Sequence, residues 1–210
     1  MRILIIGGTR GIGLESVDLA LEIGHHVTLL ARQPDKVQVR HERLTVAPGD
    51  VLDAQSVNSA MKEQDAVILS LGMGITFSPV KLFSEGTRNV LRAMAEHGVR
   101  RLACVTGIGA GDSRGHGGFL YDRIFQALLI RTVYEDKDRQ EALIRASDRE
   151  WVIARPGFLT NGPRTGKYRA LTKLDGVTAG KISRADVADF LLLKAMQGDE
   201  WVGKMPLLTY

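Results

Sequence analysis

Residues 1–13 read MRILIIGGTRGIG. The run from Arg2 to Ile6 is short and apolar, the pattern of a buried strand. From Gly11 to Ile23 the apolar residues Ile12, Val17, Leu19, Ala20 and Ile23 recur at helical spacing, and Gly24 stops the helix. Between strand and helix lies G-x-x-x-G-x-G, a phosphate cradle. Gly7 lets the chain turn sharply, Gly11 removes a side chain so that a pyrophosphate can approach backbone N–H groups, and Gly13 lets the helix pack close to the strand. Thr9, Arg10 and Ile12 fill the remainder of the candidate cradle. A glycine pattern alone is a weak signal, and a plain strand–helix turn is its alternative. The flanking strand and helix favour dinucleotide binding.

Arg10 raises the next question, because a tight glycine turn has no structural need of a cation. A second strand, His26 to Ala31, ends at Arg32. Dinucleotide sites that take NAD place an acid there, about 20 residues past the turn, to bond the ribose 2′-hydroxyl. A carboxylate would repel a 2′-phosphate, whereas arginine pairs with it. Lys36 follows in LLARQPDKV. Arg10, Arg32 and Lys36 together suit a dianionic phosphate, and each good charge-assisted pair favours NADP over NAD by about 10- to 150-fold. Each cation alone also reads as a solvated surface residue.

The rest of the chain alternates strands and helices. Strands are expected at Arg43 to Ala47, Asp65 to Leu71, Arg101 to Val105 and Trp151 to Ala154, the last ended by Arg155–Pro156. Helices are expected from Asp53 to Lys62, from a Ser78 cap with Pro79 in first position to Gly98, and from about Phe119 to Ala146 with a break near Thr132. Gly157 to Gly180 reads as loop, with weak strands near Tyr168 and Val177. Ser183 caps a last helix with Asp186 three residues on, and MPLLTY is expected to be an edge strand. The alternation predicts an α/β fold, a Rossmann-like doubly wound parallel sheet with helices on both faces. It reads as one NAD(P)-binding domain over residues 1–210, with a small substrate-side region near 157–182.

Further candidates follow from where each strand ends. Asp50 and Val51, after the third strand, can bond and pack the adenine, although Asp50 also reads as a turn carboxylate. Ser70, Leu71 and Gly72 end the fourth strand, and Thr106 with Gly107 ends the fifth. Pro156, Gly157 and Phe158, past the sixth strand, complete the cofactor-binding set. Ligands of doubly wound folds bind at this edge. Gly109 to Gly118 (GAGDSRGHGG) is the one flexible-looking segment there, a lid or a loop without a role.

Composition narrows the class. The chain has 210 residues, 44% hydrophobic, enough for a sizeable core. The formal net charge is +4 and the pI about 9.3. The charges are spread with no like-charge run, so nucleic acid is not expected. No stretch approaches the ~20 apolar residues of a membrane span, and no secretory signal is read. The single cysteine, Cys104, excludes an intramolecular disulfide and reads as buried filler. The five histidines show no metal spacing, so no metal is expected. A reducing cytoplasm fits these features.

With these residues in view, GGTRGIGLES, VTLLAR, GDVLDAQSV, DAVILSLG, SPVKLFSEGTRNVLRAMAEHGV and LTNGPRTGKYRAL resemble the atypical short-chain dehydrogenases, in particular their biliverdin-IXβ reductase/flavin reductase branch. The likeness covers most of the chain and is weakest from about Gly109 to Glu135. It implies NADPH along the strand ends and hydride passed to a flat, conjugated acceptor. Departures are visible. The branch has Thr–Ser after the fifth strand where this chain has Thr106–Gly107, and a histidine where Gly157 follows Pro156. GGTRGIG follows the spacing of ordinary short-chain dehydrogenases, whose NADPH-dependent members carry a basic residue at the position of Arg10. The Y-x-x-x-K acid of those enzymes is absent. Lys137 matches the lysine of the branch's K-x-x-x-E pattern, with Glu141, and reads either as a cofactor contact or as a helix-surface lysine.

Thr106 and Lys137 are therefore the catalytic candidates. Without a strong acid, acceptors that spread incoming charge are favoured: flavins, quinones and bilins. The competing expectation is a non-catalytic NADP-binding redox-sensing regulator or assembly factor.

Overall fold

The computed structural model describes residues 1–74, 76, 78–116 and 131–210. The first part of the helix expected from Phe119, and the end of the glycine-rich segment at residues 117–118, lie outside the described residues.

The elements run in chain order β1 (Arg2–Ile6), α1 (Gly11–Glu22), β2 (His26–Ala31), β3 (Leu44–Pro48), α2 (Ala54–Met61), β4 (Ala66–Leu69), α3 (Leu82–Glu96), β5 (Arg101–Val105), α4 (Arg131–Arg145), β6 (Glu150–Pro156), β7 (Phe158–Thr160), β8 (Arg169–Leu171), β9 (Lys181–Ser183), α5 (Arg184–Phe190) and β10 (Leu207–Thr209). The main sheet has the order β3-β2-β1-β4-β5-β6-β10-β8. β10 runs parallel to β6, and β8 joins its far side antiparallel. The expected doubly wound α/β fold is borne out. Strand order reverses between β1 and β4, which places a crevice at their carboxyl ends.

β1 shows why the sheet sits at the centre. It pairs on both sides, with Ile3 opposite Val27 and opposite Ala66. Ile3 and Ile5 face one core layer with Val17, Leu29 and Phe190. Leu4 and Ile6 face the other, with Val57, Met61 and Met94. A strand buried on both faces needs apolar residues at every position, which is what RILII supplies after its first residue. Cys104 is fully buried, as expected of filler, and burial pushes its thiol up.

Four elements depart from the sequence expectation. α3 begins at Leu82, not at Pro79 behind a Ser78 cap. Its cap comes from another helix: the Asp136 carboxylate accepts from the N–H of Phe83 at 2.8 Å and of Ser84 at 3.3 Å, and from the Ser84 hydroxyl at 2.5 Å. A tertiary cap of this kind leaves no mark near Ser78. β6 continues through Arg155 and Pro156, because β10 pairs with both. The strand expected near Val177 lies instead at β9, paired in parallel with β7, which the sequence reading took for loop. β10 is not an edge strand, because β8 covers it, with Leu207 opposite Leu171. Among the described residues α4 starts at Arg131, so the break expected near Thr132 falls at the edge of the described residues. Among the described residues no helix is long and apolar enough to cross a membrane.

Candidate functional site

A cleft of about 790 Å³ opens along the carboxyl ends of β1, β2, β4, β5 and β6. Its floor begins at the glycine turn. Gly7 has φ +88°, and a Cβ there would lie 2.2 Å from the Ser70 carbonyl oxygen. A Cβ on Gly13 would lie 2.2 Å from the Gly7 carbonyl oxygen, so α1 sits directly on the turn. Gly11 has φ +60°, and a Cβ there would meet only the Arg184 side chain, at 3.7 Å, which leaves the turn free of its own side chains as a phosphate cradle requires. Arg10 occupies the cap position of α1 without a side-chain cap bond, which leaves the first-turn N–H groups to a ligand.

Arg10, Thr9 and Ile12 line this end of the cleft together with Arg32 from the end of β2. Lys36 does not. A 3₁₀ turn from Pro34 to Lys36 carries it into solvent. Asp50 and Val51 form the next wall. Asp50 accepts from the Leu52 N–H at 2.9 Å, so it braces its own turn while facing the cleft. Val51 is buried against Gly86 of α3, where a Cβ would come within 2.9 Å of it. Ser70, Leu71 and Gly72 continue the wall past β4.

The far end is built from β5, α4 and β6. Thr106, Lys137, Pro156, Gly157 and Phe158 all line it. The Thr106 hydroxyl donates to Glu141 Oε1 at 2.7 Å. That carboxylate also accepts from Arg155, from Nε at 3.0 Å and from Nη2 at 2.6 Å. All three residues are buried. The Lys137 ammonium donates to the Thr106 carbonyl oxygen. Desolvation lowers Lys137 from the ordinary 10.5 to about 8, against the raising effect of Glu141. Lys137 and Glu141 stand one helical turn apart on α4, so one face of this helix carries both.

Tyr134 and Arg184 are among the cleft residues that escaped the sequence reading. A Cβ on Gly107 would lie 3.1 Å from the Tyr134 hydroxyl. The Lys137 ammonium lies 5.4 Å from the Tyr134 ring centre and 5.3 Å from that of Phe83. The signal was the three-residue spacing of Tyr134 and Lys137, which puts them on one helix face although it is not Y-x-x-x-K. Arg184 is brought to the turn from α5. Gly157 also has a reason the sequence did not show. A Cβ there would lie 2.4 Å from the Gly180 carbonyl oxygen, so the close approach of backbone at β7 and β9 requires glycine.

The chain matches the NAD(P)H-binding family model over residues 7–196, and it belongs to that family. It is 27% identical over 209 residues to UPF0659 protein C216.03 of Schizosaccharomyces pombe, covering 92% of this chain and 83% of that protein. Five other curated relatives are matched over only 27% to 35% of their own lengths. The fold superposes on ChuY, an anaerobillin reductase from Escherichia coli O157:H7, with TM-score 0.83 and 23% identity over 100% of this chain and 97% of that one. It superposes equally, TM-score 0.83 at 18% identity, on a short-chain dehydrogenase/reductase from Veillonella parvula in complex with NADP, over 100% and 94% of the two chains. The expected NAD(P)-binding family is borne out, and the fold is that of the solved reductases and dehydrogenases it superposes on. The chain is an NAD(P)H-binding protein of this family.

Proposed function

We propose that this protein is an NADPH-dependent reductase that transfers hydride to a small conjugated acceptor such as a flavin, quinone or bilin. The observation that carries this is the single continuous cleft. Its glycine turn and two arginines lie at one end, and the Thr106–Lys137–Tyr134 group lies at the other. NADPH, when bound, supplies the hydride. Gly7, Gly11 and the first turn of α1 receive the pyrophosphate, and Arg10 and Arg32 hold the 2′-phosphate. Asp50 and Val51 border the adenine. Ser70, Leu71, Gly72 and Thr106 border the ribose and nicotinamide, with Pro156, Gly157 and Phe158 opposite.

The acceptor side is the region near residues 157–182, with β7 at its edge. Phe158, Leu159 and Met73 line the cleft yet are 38%, 37% and 37% exposed. Large apolar side chains left in water around a cleft suit a flat aromatic acceptor. Lys137, which burial lowers to about 8, is the group able to hold or release a proton beside that acceptor. A small molecule is the partner this site suits, and the lone buried cysteine suits a reducing cytoplasm.

The test is NADPH oxidation against a panel of FMN, riboflavin, biliverdin and quinones. Turnover well above the rate with free NADPH supports the reductase. Tight NADPH binding with no turnover of any acceptor would overturn it in favour of a non-catalytic regulator or assembly factor.

A further inference from the structure

Arg184 lies far from the glycine turn in sequence and beside it in space. A Cβ placed on Gly11 would meet nothing closer than Arg184, whose Nε is 3.7 Å and Cδ 3.8 Å away. The side chain is half-buried and lines the cleft. Its Nη1 donates to the Asn161 side-chain oxygen at 2.6 Å. Among the described residues no carboxylate comes within ion-pair distance of it, whereas Arg155 and Arg164, which do not line the cleft, have acidic partners. A guanidinium carries five N–H donors. One neutral amide oxygen leaves most of them, and the whole positive charge, beside the turn at Gly11.

The mount is rigid. Thr160 of β7 is paired with Ser183 of β9, so Asn161 and Arg184 each follow one residue past a registered pair and emerge side by side. Ser183 caps α5 by accepting from the Asp186 N–H at 2.9 Å. Asp186 in turn accepts from the Tyr210 hydroxyl at 2.7 Å and from the Thr165 and Gly166 N–H groups at 2.7 and 2.8 Å. A tethered cation with no counter-charge beside a side-chain-free turn is complementary to an anion.

We infer that Arg184, steadied by Asn161, is a phosphate-binding residue contributed from the acceptor side of the cleft, and that it contacts the pyrophosphate of the dinucleotide rather than the 2′-phosphate. Its place beside Gly11, away from the end of β2, is what separates the two phosphates. This assignment rests on the dinucleotide reading above.

The experiment measures binding by calorimetry to the full chain with two probes. ADP-ribose has the pyrophosphate and no 2′-phosphate; 2′-AMP has the reverse. Arg184→Gln is expected to weaken ADP-ribose by about ten- to a hundredfold, the loss of a charge-assisted bond, and to leave 2′-AMP within about twofold. Arg184→Lys, which keeps the charge without the planar fork, is expected to fall between, and serves if the glutamine variant does not fold. Unchanged ADP-ribose affinity in the folded variants would overturn the assignment while leaving the dinucleotide site intact. So would an equal loss of 2′-AMP. Failure of the wild-type chain to bind either probe or NADPH would overturn the dinucleotide reading itself, and this assignment with it.

Discussion

Thr106 donates its hydroxyl proton to Glu141, at 2.7 Å, and Glu141 is held by both Nε and Nη2 of Arg155. A hydroxyl has one proton. With that proton committed to a buried carboxylate, Thr106 presents lone pairs to the cleft: it accepts there and does not donate. The sequence reading made Thr106 a catalytic candidate without saying which. Under the proposed function Thr106 is then an orienting acceptor, and proton delivery falls to Lys137 and Tyr134. Thr106→Val is therefore expected to lower kcat about tenfold while changing NADPH affinity far less. Steady-state rates beside a binding titration check this. An unchanged kcat would mean the hydroxyl serves only the Glu141 pair.

The same relationship predicts a stability effect. Glu141→Ala leaves the Arg155 guanidinium buried with its carboxylate gone. Breaking a buried ion pair from one side costs about 3–5 kcal/mol. In a chain of this size that lowers Tm by roughly 10 °C. Thr106→Val, which removes one hydrogen bond and no charge, is expected to shift Tm by a fraction of that. Thermal melts of the two variants side by side measure the contrast; equal shifts would show that the ion pair contributes no more than the hydroxyl bond.

Cofactor choice is expected to be local to the end of β2. NADPH should raise Tm more than NADH at equal concentration, since stabilisation follows occupancy. Arg32→Glu should abolish the difference by repelling the 2′-phosphate and offering the ribose hydroxyl an acceptor. Lys36→Ala should matter much less, because the 3₁₀ turn holds Lys36 outside the cleft. Equal shifts for both cofactors in the wild type would remove the 2′-phosphate site.

Much of this was legible because it is local. The run RILII, the three glycines and the helix to Gly24 specify β1, the turn and α1 within two dozen residues, and the cleft forms where they meet. Residues that follow a strand end, such as Asp50, Ser70 and Thr106, could be assigned for the same reason. What stayed hidden depends on distant pairings. The Asp136 cap on α3 joins two helices, so Ser78–Pro79 misled. Arg184 reaches Gly11 only through the β7–β9 pair, itself built from short strands in a glycine-rich stretch. Gly157 was read against the acceptor, yet its smallness is demanded by the Gly180 carbonyl behind it.

Lys137 makes the pH dependence specific. Burial holds its ammonium at about 8, below the ordinary 10.5. It is charged below that pH and neutral above it, so a step that uses the ammonium is lost as pH rises through about 8. The profile of kcat/KM for NADPH, which reports groups of the free protein, should fall on its alkaline side near that value. Lys137→Met should flatten this limb and lower the plateau, and Lys137→Arg should move the limb beyond the measurable range. A limb that persists in the methionine variant would assign it to another group.

Acceptor preference is the most exposed prediction. The rim that an acceptor would meet is apolar, from Phe158, Leu159 and Met73. The two positions where the bilin-reducing branch carries a serine and a histidine are Gly107 and Gly157. Neither can regain a side chain easily. Gly107 has φ +144°, with the Tyr134 hydroxyl in the space a Cβ would need, and Gly157 is closed by the Gly180 carbonyl. A bilin carries propionates and pyrrole N–H groups that gain from several fixed polar partners, whereas an isoalloxazine or quinone can stack on the apolar rim with one donor beside it. Under the proposed function Tyr134 and Lys137, which line the cleft, supply that donor. FMN is therefore expected to exceed biliverdin-IXβ in kcat/KM, and Tyr134→Phe should reduce the FMN rate without restoring any bilin activity. A clear preference for biliverdin would mean that other polar groups of the cleft take the place of the missing serine and histidine.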